Sequence, residues 1–304
     1  MYLNFFSLTE KPFDITPDTR FLFLSPQHEE AIETLLYGIR KRRGFMVLTG
    51  EVGTGKTTSI RALLNRLDSE TETALIINPL LSTIDLIRSI NKDFGCEIPF
   101  EDSVQQQIEG LNNFLLKIAS KGRNALVIID EAQNLSLEAL EMTRLLSNLE
   151  TETHKLIQII LVGQPELEEK LSRPQLRQLR QRIQIRHQLH ALTLEETRQY
   201  ILHRLNRATP KCCLVFQPSA LKKIYDYSGG VPRLINTLCE LCLLAAYTEE
   251  THIITRKLVE IAYDELSDKS WSRPLSFWRR WRRRGLPIDA KREIREESKN
   301  VVTP

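Results

Sequence analysis

The run Gly50-Glu51-Val52-Gly53-Thr54-Gly55-Lys56-Thr57 fits the phosphate-binding loop pattern G-x-x-x-x-G-K-[ST] at every fixed position. Its flanks supply the context that the pattern needs. Phe45 to Thr49 is short, apolar and suited to a buried strand, and Thr57 to Leu67 carries Ile60, Leu63, Leu64 and Leu67 at helical spacing. Three glycines let successive backbone N–H groups face one concavity, and the following helix adds the partial positive charge of its N-terminus. Lys56 would reach the outer phosphates of a nucleotide, and Thr57 would hold Mg²⁺ through its hydroxyl. The nucleotide-binding set is therefore Gly50, Glu51, Val52, Gly53, Thr54, Gly55, Lys56, Thr57 and Thr58, with ATP and Mg²⁺ as the expected ligands.

A second feature has to sit beside this loop for chemistry to follow. Asp130-Glu131 comes directly after the apolar run Ala125 to Ile129, which puts two carboxylates at the tip of a strand buried on both faces. Beside a phosphate loop, Asp130 is expected to serve the metal through its water shell and Glu131 to polarise the attacking water. A solvated acid pair is the alternative. Gln164 ends the next strand-like run, Ile157 to Val162, where it would orient water or contact the γ-phosphate, or simply form a turn. Arg177, Arg180 and Arg182 then follow in one cluster. One of the three, with Arg180 and Arg182 as the first candidates, would act as an arginine finger on a neighbouring subunit's nucleotide, the alternative being a solvated basic helix face. Arg233, in Gly229-Gly230-Val231-Pro232-Arg233, opens a later helix and would fold onto the phosphates.

The pattern of elements gives the fold. A helix capped by Ser25-Pro26 precedes the first strand, and strands at 74–77, 125–129 and 157–162 alternate with helices at 82–94, 104–120 and 136–149. Alternation of this kind predicts an α/β P-loop domain with a parallel sheet, helices on both faces and its ligand beyond the carboxyl ends of the strands. After about residue 190 the strand-like runs cease. Thr193-Leu194-Glu195-Glu196 reads as a capping box, and helices to 208 and at 218–227, 231–247 and 255–267 predict a smaller all-helical lid domain. The expected division is an aromatic arm packed on the core (1–24), a nucleotide-binding domain (25–190), the lid (191–268) and a basic tail (269–304).

Bulk properties narrow the setting. With 41% hydrophobic and 27% charged residues the chain reads as globular, and its net charge of +3 singles out no class of partner. No apolar run approaches the ~18 residues that a membrane helix needs. The opening Met1 to Phe6 does not read as a secretory signal, and an odd count of five cysteines, with Cys212 and Cys213 adjacent, suits a reducing cytoplasm. Cys239-x-x-Cys242 lies in an apolar helical stretch and reads as core packing rather than half a zinc site.

In order, the phosphate loop, Asp130-Glu131, Gln164, the arginine cluster and Gly-Gly-x-Pro-Arg resemble an AAA+ ATPase. More narrowly, the chain resembles the secretion ATPases of the general secretion pathway protein A family. Pro12-Phe13, Thr16-Pro17-Asp18, Phe21 to Ser25, Leu48 to Thr58, Asp130-Glu131-Ala132-Gln133 and Gly163 to Leu167 carry that match, which spans residues 1 to about 268. The resemblance implies an ATPase acting as a homo-oligomer on an envelope assembly protein, in building a secretin channel, a pilus or a polysaccharide export system. Family members of the secretin-assembly branch carry a transmembrane helix and a peptidoglycan-binding part after the ATPase. Neither part is read in these 304 residues, so a shorter, cytoplasmic form without direct peptidoglycan contact is the expectation. A DNA-associated ATPase of the transposition-regulator type and a slow nucleotide-controlled switch share the same core and are the competing readings.

The segment Trp271 to Arg284 gathers all three tryptophans among six arginines. Tryptophan favours the membrane–water interface and arginine favours anionic headgroups, so residues 271–284 would hold the chain peripherally on the inner membrane. The same residues suit nucleic acid, or a solvated tail.

Overall fold

The computed structural model describes residues 2–14, 19–77, 79, 81–98, 103–151, 155–209 and 213–267. The basic tail and the Thr16-Pro17-Asp18 part of the family match lie outside them. The described chain divides into two compact units, one spanning 17–192 and the other combining 1–16 with the residues from 193 onward.

Chain order opens with α1 (Tyr2–Phe5), which belongs to the second unit, and then enters the first. There α2 (Pro26–Arg40), β1 (Phe45–Gly50), α3 (Lys56–Arg66), β2 (Thr71–Ile76), α4 (Thr83–Asp93), α5 (Val104–Ala119) and β3 (Asn124–Ile129) alternate. They are followed by α6 (Leu137–Leu146), β4 (Gln158–Gly163), α7 (Pro165–Leu171), α8 (Arg177–Arg182) and β5 (Ile183–Leu189). The five strands form one sheet in the order β2-β3-β4-β1-β5, and every neighbouring pair runs parallel.

A parallel sheet covered on both faces needs apolar residues at consecutive positions, and β1, β3 and β4 provide them. The period of two then divides these residues between two cores. Phe45, Val47, Val127, Ile129, Ile159 and Leu161 face α4, α5, α6 and α7, whereas Met46, Leu48, Leu126, Ile128, Ile160 and Val162 face α2 and α3. Each such side chain taken from water contributes about 1.5–3 kcal/mol. Capping serines set the helix starts between the strands: Ser82 accepts from the N–H of Asp85, and Ser103 exchanges bonds with Gln106 in a full capping box.

The sheet has one strand more than the sequence predicts. β5 (Ile183-Gln184-Ile185-Arg186-His187-Gln188-Leu189) is an edge strand with one polar face, and it follows α8 without a break. Its polar alternate residues read as a continuation of the basic helical run, and only the spacing of Ile183, Ile185 and Leu189 marks it as a strand.

The second unit is helical, with α9 (Leu194–Ala208), α10 (Pro218–Ser228), α11 (Pro232–Thr248) and α12 (Arg256–Ser267). Its one extended feature among the described residues is a parallel pair of two-residue strands, β6 (Val215–Phe216) and β7 (Ile253–Ile254), too short to leave a periodic signal. Thr193 and Glu196 form the expected capping box at the start of α9. Cys239 and Cys242 are fully buried on α11, and burial pushes both thiols up, Cys242 to about 12.

The N-terminal arm divides between the units. Phe6, Leu8 and Phe13 are buried in the stretch that groups with the helical unit, whereas Leu22 and Leu24 pack against the core formed by α2, α3 and the sheet. The Tyr2 hydroxyl donates to Glu240 Oε1 at 2.7 Å, and His252 Nε2 lies 3.2 Å from the Phe5 carbonyl. Arg204, only 7% exposed, donates from Nε to the Pro12 carbonyl, from Nη2 to the Asp14 carbonyl and from Nη1 to the Tyr200 hydroxyl. Hydrophobic residues announce that they will be buried but not against what, which is why the arm's destination is not legible in its aromatics.

Arg204→Ala removes a charged donor from two carbonyls and leaves them without that partner, at an expected cost of about 2–4 kcal/mol. The change should lower the midpoint of thermal unfolding and speed proteolysis between α1 and α2. Unchanged cleavage and an unchanged midpoint would show that the arm is held by its aromatic contacts alone.

Candidate nucleotide site

Strand order brings the site together. β4 lies between β1 and β3, and the registers Thr49↔Gly163 and Ile129↔Leu161 align the carboxyl ends of the three strands. Gly50, Asp130 and Gln164 therefore sit at one edge of the sheet, the position where open α/β sheets take ligands.

The loop after β1 needs its glycines. A Cβ on Gly50 would lie 2.7 Å from the Leu189 carbonyl oxygen and 2.9 Å from Thr54 Oγ1, and Gly55 has φ +102°, in the left-handed region. The side chain of Thr54 is fully buried and donates back to the Glu51 carbonyl at 2.8 Å, closing the turn from within. Lys56 opens α3, is 6% exposed, and donates from Nζ to the carbonyls of Gly50 at 2.8 Å and Glu51 at 3.0 Å. Burial pulls its ammonium below the usual lysine range, and Glu131, Asp130, Glu51 and Glu166 oppose that shift.

Thr57, one residue further into α3, donates its hydroxyl to Asp130 Oδ2 at 2.7 Å. Asp130 is 3% exposed, and its other oxygen accepts from the Glu131 N–H at 2.9 Å. Glu131 adopts φ +53°, a left-handed conformation costly for a residue with a Cβ, soon after the end of β3. Gln164 Nε2 donates to Glu131 Oε2 at 3.2 Å. The two acids and the glutamine proposed from sequence thus converge on one site.

Gln133 completes the network and was not singled out as a site residue. Its Nε2 donates to Glu131 Oε2 at 2.5 Å, and its Oε1 accepts from the Gln164 N–H at 3.1 Å. Lys170 Nζ holds the same turn through the carbonyls of Gln133 at 2.5 Å and Leu135 at 2.7 Å. The signal available was a polar residue two places after an acid at a strand end, which is uninformative without the neighbouring strand.

The arginines separate. Arg182 donates from Nη1 to Ser147 Oγ at 3.0 Å within its own unit, whereas Arg177 and Arg180 are exposed on α8. Arg233 is exposed near the start of α11 and belongs to the helical unit.

These donors fit the expected ligands. Thr57 and Asp130 offer hard oxygen atoms, few in number, as suits a Mg²⁺ ion that keeps much of its water. The glycine loop, the N-terminus of α3 and the Lys56 ammonium together suit an anion of the phosphate type.

Comparison with known proteins agrees with this geometry. The sequence model of a family described as an AAA domain matches residues 39–171. The chain is 42% identical over 269 residues to general secretion pathway protein A of Aeromonas hydrophila, an alignment covering 88% of this chain and 49% of that protein. The chain thus spans about half the length of that relative. Among solved structures, the Aeropyrum pernix ORC2 protein superposes with a TM-score of 0.63 at 18% identity, over 86% of this chain and 72% of that one. Cdc6p of Pyrobaculum aerophilum gives a TM-score of 0.62 at 18% identity, over 82% and 71%. At such identities these two structures speak for the fold alone. No helix among the described residues is long and apolar enough to cross a membrane. The chain carries an AAA domain with the AAA+ P-loop fold, and 88% of it aligns with general secretion pathway protein A.

Proposed function

We propose that the chain hydrolyses ATP with Mg²⁺ and does so as a homo-oligomer, in support of building a cell-envelope secretion, pilus or polysaccharide export system. The observation that carries the chemical part is the meeting of Thr57, Asp130, Glu131 and Gln164 beside the Lys56 loop. The biological part rests on the relationship to general secretion pathway protein A. A cytoplasmic setting is part of the reading, as is peripheral contact of residues 271–284 with anionic lipid, a stretch outside the described residues.

Each residue has a distinct task in this reading. The loop N–H groups from Gly50 to Thr58 and the Lys56 ammonium bind the phosphates. Thr57 and Asp130 hold Mg²⁺, which when bound neutralises phosphate charge. Glu131 accepts a hydrogen bond from the attacking water and polarises it, held in place through Oε2 by Gln164. Arg180 is taken as the trans-acting arginine: Arg182 is committed to Ser147, and Arg180, like Arg177, is exposed.

Two substitutions separate binding from chemistry. Lys56→Ala should weaken ATP binding by about 10–100-fold, the worth of a charged hydrogen bond. Glu131→Gln should bind ATP normally and slow hydrolysis by about 10²–10⁴-fold. Equilibrium binding and single-turnover hydrolysis measure the two, and normal hydrolysis by Glu131→Gln would remove Glu131 from the mechanism.

A mixing experiment tests the arginine. Arg180→Ala alone should lose about 10³-fold in rate. Added to Lys56→Ala, which keeps an intact Arg180, it should regain hydrolysis at interfaces where one subunit supplies the nucleotide and the other the arginine. No recovery on mixing would refute a trans role for Arg180.

A further inference from the structure

Helix α2 lies outside the sequence motifs, yet it reaches into the phosphate loop. A serine capping a helix ordinarily accepts from an N–H of the first turn. Ser25 precedes α2 but makes no such bond, and its Oγ lies 2.6 Å from Nδ1 of His28, three residues on. His28 is 4% exposed, and its Nε2 lies 2.9 Å from the carbonyl oxygen of Thr54, inside the loop. A carbonyl only accepts, so Nε2 carries the ring hydrogen. Nδ1 is then an acceptor, and the Ser25 hydroxyl donates to it. The ring also lies against the next residue, since a Cβ on Gly55 would come within 2.9 Å of Nε2.

We infer that His28 is a positioning residue for the phosphate loop, fixing the orientation of the Thr54 peptide from the outside. A loop that turns N–H groups towards an anion turns carbonyls outward. The outward carbonyl of Thr54 accepts a buried hydrogen bond, where the loss of a partner is costly. His28 supplies that partner from a helix whose Ile32, Leu35 and Ile39 are packed on the sheet with Met46 and Leu48, so the donor is held by the core. Without the ring, the binding shape of the loop would strand a buried carbonyl. The loop would relax away from that shape, and nucleotide binding would have to restore it. Affinity, more than the chemical step, should therefore respond. The inference rests on the proposed nucleotide binding.

Chain geometry supplies a sharp test. Gln places its side-chain nitrogen as many bonds from Cα as His Nε2, whereas Asn reaches only as far as Nδ1. Binding of a fluorescent ATP analogue with Mg²⁺ would be titrated for the full chain, His28→Ala, His28→Asn, His28→Gln and Lys56→Ala, with hydrogen–deuterium exchange of the loop followed in nucleotide-free protein. His28→Ala and His28→Asn should bind about tenfold more weakly, within the cost of an unsatisfied buried carbonyl, and exchange loop amides faster. His28→Gln should stay within about threefold of the unmodified chain, since it restores the donor. Equal affinities for the Gln and Asn variants would overturn the inference even if His28→Ala does not fold. Unchanged affinity in His28→Ala, with binding weakened in Lys56→Ala, would overturn it while sparing the nucleotide site. Unchanged binding by Lys56→Ala would instead overturn the nucleotide reading, and the inference with it.

Discussion

A parallel sheet buried on both faces leaves polar chemistry only at its ends, and the hydrogen bond from Thr57 to Asp130 marks where this chain puts it. The bond joins residues separated by 73 positions, one at the N-terminus of α3 and one at the end of β3. It forms because β4 inserts between β1 and β3 and aligns their carboxyl ends, an arrangement that the two apolar cores on either side of the sheet hold in register. Lys56, Glu131 and Gln164 are all placed by the same three strand ends. Slipping any of these strands by one residue would exchange its two core faces and carry its terminal polar residue off the site.

The site is built to bring unlike charges close and to keep each in a fixed orientation. Lys56 is desolvated but lies among carboxylates that favour its charged form. Glu131 is held in a left-handed conformation and accepts bonds on a single oxygen from two amides, Gln133 and Gln164, which fixes the plane of its carboxylate. Lys170 secures the turn that carries Gln133. Strain and polar networks of this kind persist where the surrounding packing over-determines them.

Much of this was legible in the sequence because the phosphate loop and the acid pair depend on local order. A glycine pattern between a strand and a helix, and an acid pair after five apolar residues, have few other uses. The residues that escaped depend on partners distant in sequence. β5 hid its apolar alternation among arginine and glutamine, and the aromatic arm gave no sign of the Arg204 clamp that holds it. Arg182 looked equivalent to Arg180 until Ser147 set them apart. Gln133 and His28 are ordinary polar residues whose meaning lies in a single neighbour, the first in Glu131 and the second in Thr54.

The most direct measurement is phosphate release from ATP by the full chain over a range of protein concentrations, with Mg²⁺ and with the metal chelated. Hydrolysis that requires Mg²⁺, with specific activity rising as protein concentration rises, is the predicted result for an oligomeric ATPase built on Thr57, Asp130 and Glu131. Equal rates with the metal chelated, or no release above background at any protein concentration, would contradict it.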